Sequence, residues 1–328
     1  MNIPFIHNNS ELQKACEYGI ETCIEQNTIP FNFNFGLYGA CLSGNEYLIN
    51  VMIDLGANDF EWALRGISQN GNIELIKYIE EKLIASKNNC TINYSWALAG
   101  ACTGNNIDAV NYYLSKYDSS SFNVDAAFRI TCEKGYLEIF NVFMDKLENK
   151  LNYTLGMAGA CYGFRHNKKY PESIFDQLLC KLNKASLLDN PNTTYFDCIL
   201  YEAAFSGLQS IIEFIIEKQE ILKINLIHVI RGAVLGGHTD LIMQCVLQNK
   251  SEKEKYVQIG YYEAAYSGNT NIIKWFEEEF VLPCDMKLYY LTGLCQSGRK
   301  PTEFDLLRIN NSEICLWCWK DIHWLCFT

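Results

Sequence analysis

The residues best spaced for chemistry lie in an aromatic segment near the end of the sequence, residues 312–328. Three cysteines and a histidine there follow the pattern C-x2-C-x4-H-x2-C, which can supply four soft ligands to a zinc ion; they are Cys315, Cys318, His323 and Cys326. The three cysteines also share one helical face with Ile322 and Leu325, as in an apolar helix that closes a fold. Large aromatic side chains stand nearby and no glycine shapes a metal loop. We therefore favour packing and predict no metal site.

The five histidines do not form a recognisable catalytic pattern. None has a serine or cysteine nucleophile at a spacing that can be interpreted from sequence. The phosphate-binding pattern G-x-x-x-x-G-K-[ST] is absent, and no G-x-G-x-x-G follows a predicted strand. We therefore expect no catalytic residue and no cofactor. An enzyme or a small-molecule binder is the least favoured function.

The composition is that of a folded globular protein. Of the 328 residues, 49% are apolar and 20% charged, and the length alone suggests about two domains. The 27 basic and 38 acidic residues give a net charge of −11, which argues against nucleic-acid binding because that requires clustered Lys and Arg. No apolar run is long enough to span a bilayer, and the first residues lack a signal-peptide pattern. We expect the 15 cysteines to be reduced thiols in the cytoplasm.

The dominant signal is an internal repeat that is marked by glycine. Its block has an apolar residue, two variable residues, two small residues, two further variable residues and a closing Gly or Asn. Clear copies are LYGACLSG at residues 37–44 and LYEAAFSG at 200–207. The ten copies begin at residues 12, 37, 64, 98, 128, 157, 200, 230, 261 and 291.

Each block is followed by a second segment of helical periodicity, as in residues 73–79 and 137–143. The closing glycine suits a left-handed residue at a helix C-terminus, and Asn105 can adopt the same conformation. Each repeat is therefore predicted to contain a first helix, a tight turn and a second helix. One pair cannot bury its own apolar face, so the pairs must stack. The sequence predicts an all-α solenoid of about ten helix-turn-helix units instead of two domains.

Six cysteines occupy a single repeat position, where the other copies have Ser, Ala or Val. The cysteines are Cys16, Cys41, Cys102, Cys132, Cys161 and Cys295. Such exchange predicts small buried residues that let neighbouring helices approach closely, and it argues against a ligand or a nucleophile. A second aligned position, near the start of successive first helices, carries Phe35, Trp62 and Trp96. We expect a structural aromatic ladder, which would anchor a partner if it were partly exposed.

The repeat pattern changes in two places. Residues 162–173 are predicted to lengthen the turn of the sixth unit, and residues 184–195 to form a polar loop. The segment 162–195 is thus either a subdomain boundary or a longer linker. The strict pattern ends at Gly298. The predicted organisation is an extension at 1–11, a repeat array at 12–298 and a capping segment at 299–328.

With these repeats the chain resembles ankyrin repeat proteins, particularly the divergent, Asn- and Tyr-rich kind encoded by giant DNA viruses. The block at 200–207 follows the ankyrin order Leu-x-x-Ala-Ala-x-x-Gly, Gly237-His238 matches the Gly-His turn, and residues 55–59 (LGAND) match the end of a unit. The Thr-Pro that opens the ankyrin first helix is absent. The resemblance covers most of residues 12–298 and implies an ankyrin-repeat solenoid with shortened or irregular β-hairpins. It also implies that the His238 ring bridges loop backbone groups.

In ankyrin proteins the two variable residues before the turn glycine usually face a concave surface that suits extended protein partners. Carried over by position, the implied binding residues are Tyr18, Leu42, Gln69, Asn70, Thr103, Glu133, Lys134, Phe205, Leu235, Tyr266 and Gln296. The large apolar and aromatic members would be the anchors, because binding hot spots favour large groups that can be desolvated. The alternative is that some of these side chains only cover the groove.

The favoured function is therefore a non-enzymatic module that binds a protein on the concave face. If the viral resemblance holds, the partner is a host factor and the compartment is the host cytoplasm. The alternative is an adaptor whose C-terminal segment recruits a second machine such as a ubiquitin ligase, although residues 312–328 are too short for an F-box-like element. We expect a monomer that binds neither nucleic acid nor membrane.

Overall fold

The computed structural model describes residues 6–20, 31–87, 92–116, 123–167, 169–184, 193–217, 225–248, 250–282 and 286–298. Within these ranges the regular structure is helical and contains no strand. The predicted capping segment, including Cys315, Cys318, His323 and Cys326, lies outside the described residues. Across the described ranges, no helix is both long enough and apolar enough to cross a membrane.

Eighteen α-helices occur in the described ranges. In chain order they are α1 Asn9–Glu17, α2 Phe33–Ser43, α3 Glu46–Asp54, α4 Phe60–Asn70, α5 Ile73–Ser86, α6 Ser95–Thr103, α7 Ile107–Ser115, α8 Asp125–Lys134, α9 Leu137–Leu147, α10 Tyr153–His166, α11 Ser173–Lys184, α12 Thr193–Ser206, α13 Gln209–Ile216, α14 Ile227–Gly236, α15 Thr239–Gln248, α16 Lys253–Ser267, α17 Thr270–Glu279 and α18 Met286–Gln296. Short 3-10 turns occupy Glu148–Lys150 and Lys250–Glu252.

Every predicted block lies in or at the end of a helix, which confirms the all-α prediction. The ten first helices are α1, α2, α4, α6, α8, α10, α12, α14, α16 and α18, and the others are second helices. The turns also form as predicted, because the closing residues Gly44 and Asn105 have φ values of 71° and 58°. This left-handed conformation ends the first helix and reverses the chain.

Contacts divide the chain into two compact units, and each is described by itself. Among the described residues, one comprises those up to Gly163 together with Lys169–Leu178, and the other comprises residues 164–167 together with those from Leu179 to Gly298. In the first unit α1, α2, α4, α6 and α8 pack in sequence, each on the next. In the second unit α12, α14, α16 and α18 do the same. Seven first helices also pack on the second helix that follows them, as in α2 with α3 and α14 with α15; the seven are α2, α4, α6, α8, α12, α14 and α16.

Glycine at the third block position sets the closest approach between neighbouring first helices. A Cβ added to Gly100 would overlap the carbonyl oxygen of Arg65, and one added to Gly232 would overlap that of Tyr201. The sequence interpretation assigned this role to the small residues at the next two positions, which are buried as well. Six of the ten blocks have glycine at the third position, so the sequence contains a pattern that indicates this close approach of the helices.

Side chains in the turns join successive repeats. Asn106 follows the turn after α6, and its amide donates hydrogen bonds to the carbonyl oxygens of Ser68 and Gln69 at the end of α4, at 3.2 and 2.7 Å. His238 has the same position after α14, and its Nε2 lies 3.0 Å from the carbonyl oxygen of Phe205 in α12. The ring therefore contacts one backbone carbonyl of the preceding first helix, and the bridge between loop backbone groups that the resemblance implies stays a prediction. Such bonds satisfy carbonyls that a helix end leaves without a partner.

Second helices bury their apolar residues at three- and four-residue spacing. In α3 these are Leu48, Ile49 and Met52, all fully buried, and α9 places Ile139 and Phe140 in the same way. A broad apolar face of this kind can be buried only against neighbouring helices. The predicted periodicity in residues 73–79 and 137–143 is confirmed as helix.

A buried polar cluster connects α5, α7 and the residue before α6. The Glu80 carboxylate is 5% exposed and accepts hydrogen bonds from Lys116 Nζ at 2.5 Å, Tyr112 Oη at 2.5 Å and Tyr94 Oη. Burial alone would raise the pKa of Glu80, but the bonds from Lys116, Tyr112 and Tyr94 outweigh it and hold the pKa below its ordinary value. The charge is therefore retained inside the fold and ties two repeats together.

The structure corrects the predicted turn of the sixth unit and shows where the first helix begins. Helix α10 continues to His166, so residues 162–166 are helical and the predicted lengthening of the turn over 162–173 is wrong for these residues. At the other end, α1 begins at Asn9, before the predicted start of the repeat array at residue 12. Asn8 explains that start, because its side chain accepts a hydrogen bond from the Glu11 backbone N–H and caps the helix.

The repeated cysteines are core residues, as expected. Cys16, Cys41, Cys102, Cys132 and Cys161 are buried, whereas the side chain of Cys295 lies outside the described residues. Burial raises the pKa of Cys102 to about 12 and that of Cys41 further. Because the thiolate is the nucleophile and the metal ligand, these thiols are chemically inert in the fold.

Candidate interaction surface

The accessible side of the first helices is formed by residues spaced i, i+3 and i+7. In α4 these are Trp62, Arg65 and Gln69, and all three are half-buried. This spacing places side chains on one helical stripe. We call the stripe, repeated on successive first helices, the first-helix face. Two variable residues before the closing glycine of each block were predicted to bind a partner. The first of these two positions lies on the first-helix face. The second position, which Tyr18 and Asn70 occupy, borders the face.

In the first compact unit this face contains a continuous group of rings and one cation, which we call the aromatic strip. It consists of Phe35, Tyr38, Trp62, Arg65 and Trp96. Trp62 stacks on Tyr38 with ring centroids 4.5 Å apart, and the edge of Phe35 meets it at 4.9 Å. The Arg65 guanidinium lies 4.9 Å from the centre of the Trp96 ring. Trp96 is 62% exposed, and the other four members of the strip are half-buried.

The predicted ladder is therefore built differently from the simple row of Phe35, Trp62 and Trp96. Tyr38 and Arg65 are interposed, because each occupies the second block position and reaches the aromatic residue of the next first helix. Burial raises the pKa of Tyr38, although the Arg65 charge opposes that shift. The second block position was treated as variable in the sequence and given no role.

The remaining predicted residues of the first unit are accessible to different degrees. Tyr18, Asn70 and Lys134 are exposed, whereas Leu42, Gln69, Thr103 and Glu133 are half-buried. Some of them are engaged within the fold. The Asn70 amide donates to the Leu42 carbonyl at 3.1 Å, the Thr103 hydroxyl donates to the Ala99 carbonyl at 2.8 Å, and Glu133 pairs with Arg129 at 3.3 Å.

In the second compact unit, Phe205 lies beneath a cation. The Arg165 guanidinium is 3.5 Å from the centre of the Phe205 ring and 3.4 Å from a carboxylate oxygen of Glu202. Phe205 is half-buried, and its carbonyl receives His238 from the next repeat. Arg165 thus covers part of Phe205, which was predicted to be an accessible anchor for a partner. The sequence pattern predicts a loop at this position and therefore indicates no role for Arg165.

Two tyrosines and a glutamine form the other accessible group in this unit. Tyr262 and Tyr266 stack with centroids 6.3 Å apart, and Tyr262 Oη donates to Gln296 Oε1 at 2.5 Å. Tyr266 is 44% exposed and Gln296 is exposed, whereas the remaining predicted anchor, Leu235, is half-buried.

An ion pair lies near these residues. Arg231 Nε contacts Glu263 Oε1 at 2.7 Å. Burial raises the pKa of Glu263 even though Arg231 lowers it. Glu263 occupies the third block position, where several other copies have glycine.

The described residues contain no group of three His, Cys, Asp or Glu side chains that could hold a metal ion. His228 and Asp197 come within 3.6 Å of each other.

A comparison with protein-family models and a comparison with curated proteins each gave no match. Function is therefore argued from the geometry of the first-helix face.

Proposed function

We propose that the chain is a divergent ankyrin-type repeat protein and that it binds a protein partner along the first-helix face. One observation carries the proposal. Of the six most exposed aromatic side chains in the described residues, five lie on or directly after a first helix, namely Tyr18, Trp96, Tyr162, Tyr266 and Tyr289; the sixth is Tyr47 in α3. Exposed aromatic side chains concentrated on one side are typical of interaction surfaces.

The environment of these side chains supports the same proposal. Neighbouring positions on the same helices hold small residues that are fully buried, such as Ala40, Ala101 and Ala264. Packing therefore fixes the backbone and leaves the face free to carry other chemistry. A rigid scaffold lowers the entropy lost when a partner binds, because the anchors are already in position.

The ankyrin assignment rests on local features. Blocks end in a left-handed residue, the His238 ring reaches backbone of the preceding repeat, and first helices pack in order within each unit. In residues 55–59, where an ankyrin unit has a β-hairpin, the connection has no strand. Its backbone is held instead by the Asn34 side chain, which accepts from the Asn58 and Asp59 N–H groups at 2.8 and 2.9 Å.

Quantitative capture tests the proposal. The whole chain is used as bait in a lysate of the cells that naturally make it, and bound proteins are measured by mass spectrometry. Phe205→Ala and Tyr266→Ala should each lower capture of a specific partner, and truncating a hot-spot residue costs about 2 kcal/mol, or about 30-fold in affinity. Tyr47→Ala is the matched control, since Tyr47 is 58% exposed but lies on a second helix.

Two results would contradict the proposal. One is capture that both first-helix variants leave unchanged. The other is an equal loss in Tyr47→Ala, which would place the contact outside the first-helix face.

A further inference from the structure

Arg65 differs from every other arginine that the structure describes. Arg129 pairs with Glu133 at 3.3 Å, Arg165 with Glu202 at 3.4 Å and Arg231 with Glu263 at 2.7 Å. Arg65 has no carboxylate partner among the described residues. Its Nε is buried and makes no hydrogen bond there.

The position of Arg65 leaves its hydrogen-bonding capacity unused. The guanidinium carbon of Arg65 lies 4.9 Å from the centre of the Trp96 ring, which is a cation–π distance, and an arginine carries five N–H donors in a planar fork. An arginine that has no carboxylate partner within the fold can pair its terminal N–H groups with a carboxylate from another molecule. The planar fork of an arginine matches the two oxygens of a carboxylate.

The surroundings of Arg65 are apolar and aromatic. Trp62 and Tyr38 form a stacked pair on one side, and the exposed Trp96 ring lies on the other. Glu61, the acidic residue next to Trp62 in α4, is already paired with Lys87. A ligand for this strip must therefore offer a carboxylate together with apolar or aromatic groups beside it.

We propose that the aromatic strip binds an acidic peptide segment in which an Asp or Glu carboxylate pairs with Arg65 and neighbouring apolar side chains contact Trp62 and Trp96. This inference rests on the proposed function and assigns the partner's chemistry. Single-stranded RNA also stacks on aromatic rings, but tracking its backbone requires several cations. Arg65 is the sole cation of the strip.

A display experiment with a random 12-residue peptide library tests the inference on the whole chain. Selection is run in parallel on the wild type, on Arg65→Gln and on Arg129→Gln. The last is a matched control, because Arg129 also lies on the first-helix face but pairs with Glu133. We expect wild type and Arg129→Gln to enrich peptides with Asp or Glu beside an aromatic or apolar residue, and Arg65→Gln to lose that acidic preference. Circular dichroism and the thermal midpoint verify that each variant is folded.

A double-mutant cycle then assigns the contact. Replacing the acidic residue of the best peptide by its amide should raise the dissociation constant for the wild type by about tenfold or more, the usual size of a charged hydrogen bond. The same replacement should change the dissociation constant for Arg65→Gln less than about twofold. A 12-nucleotide oligouridylate is titrated under the same conditions.

The outcomes separate this inference from the proposed function. Peptides without acidic residues whose binding needs Trp96 would overturn the acidic assignment and leave the binding face standing. Oligouridylate binding that needs Arg65 and Trp96 would overturn it in favour of RNA. An absence of enriched peptides, or enrichment that Trp96→Ala leaves unchanged, would overturn the acidic-peptide inference, whereas the proposed function is tested by capture of the protein partner.

Discussion

His238 and Phe205 belong to successive repeats, and the His238 Nε2 atom lies 3.0 Å from the Phe205 carbonyl oxygen. Asn106 makes the corresponding contact with Gln69 at 2.7 Å, and Asn269 contacts the Val234 carbonyl at 3.3 Å. Histidine and asparagine are thus alternatives for one task, which is to satisfy a carbonyl at the end of the preceding first helix.

This equivalence predicts the effect of replacing His238. His238→Ala should lower the free energy of unfolding by about 1 kcal/mol, because the Phe205 carbonyl loses its side-chain partner. His238→Asn should retain most of the stability, since Asn106 shows that asparagine at this position reaches the equivalent carbonyl, that of Gln69. Urea unfolding followed by circular dichroism measures both. Equal losses in the two variants would contradict a shared bonding role.

Replacement by alanine should lower stability by different amounts at two glycines of one block, the third residue Gly232 and the closing residue Gly237. Gly232→Ala brings a Cβ onto the Tyr201 carbonyl oxygen, so we expect α14 to be displaced from α12 at a cost of about 1–3 kcal/mol. Gly237→Ala meets no atom within 4 Å, but its φ of 82° costs an alanine about 1 kcal/mol. Unfolding midpoints should therefore fall more for the first variant. The reverse order would show that close helix approach is not what the third block position provides.

The helices could be predicted from sequence because the block itself encodes them. Small central residues, a closing Gly or Asn and a following apolar stripe define both helices and the turn, and the structure confirms these elements. The extension of α10 to His166 was missed because polar residues and Gly163 suggested a loop. Gly163 is accommodated in the helix because it lies against the Glu133 carbonyl, a contact between repeats that no local pattern reveals.

Glu80 should contribute to stability in a pH-dependent way. At pH 7, Glu80→Gln should lower the free energy of unfolding by about 2 kcal/mol, since it removes the charge that Lys116, Tyr112 and Tyr94 surround. Glu81→Gln is the matched control, because Glu81 is the next residue in α5 and is exposed. Chemical unfolding of both variants between pH 3 and pH 7 provides the measurement.

The direction of the pH effect follows from the lowered pKa of folded Glu80. A lowered pKa adds stability that is fully present above the unfolded pKa of about 4.3 and is lost as the pH falls through the folded value. The difference between wild type and Glu80→Gln should therefore be largest near neutral pH and shrink in acid. A difference that stays constant from pH 7 to pH 3 would rule out a stabilising carboxylate.

Thiol reactivity should follow burial. Cys180 and Cys198 are exposed, and we expect iodoacetamide to modify them in the native protein. Cys41, Cys102 and Cys132 should react only after unfolding, because burial raises the pKa of each thiol and blocks access. Peptide mass spectrometry after timed labelling distinguishes the two groups. Modification of Cys102 at the rate of Cys180 would contradict the core assignment.

The candidate site could be predicted only in part. Position within the block identified Tyr266 and Gln296 as accessible residues, because surface positions recur with the helix period. Arg65 and Tyr38 were missed, since their importance comes from contacts with Trp96 and Trp62 in the next repeat. Likewise, Arg165 covers Phe205 through a pairing that sequence spacing does not contain.

Site-specific photo-crosslinking tests the binding face most directly. A photoreactive phenylalanine analogue is placed at Leu42, Gln69, Leu235 or Gln296 on first helices, and at Tyr47, Ile84 or Leu247 on second helices. The control positions are accessible, being 58%, 49% and 59% exposed. We predict that one partner protein is crosslinked from first-helix positions and not from second-helix positions. Crosslinks of equal yield from both sets, or only from second helices, would contradict the account.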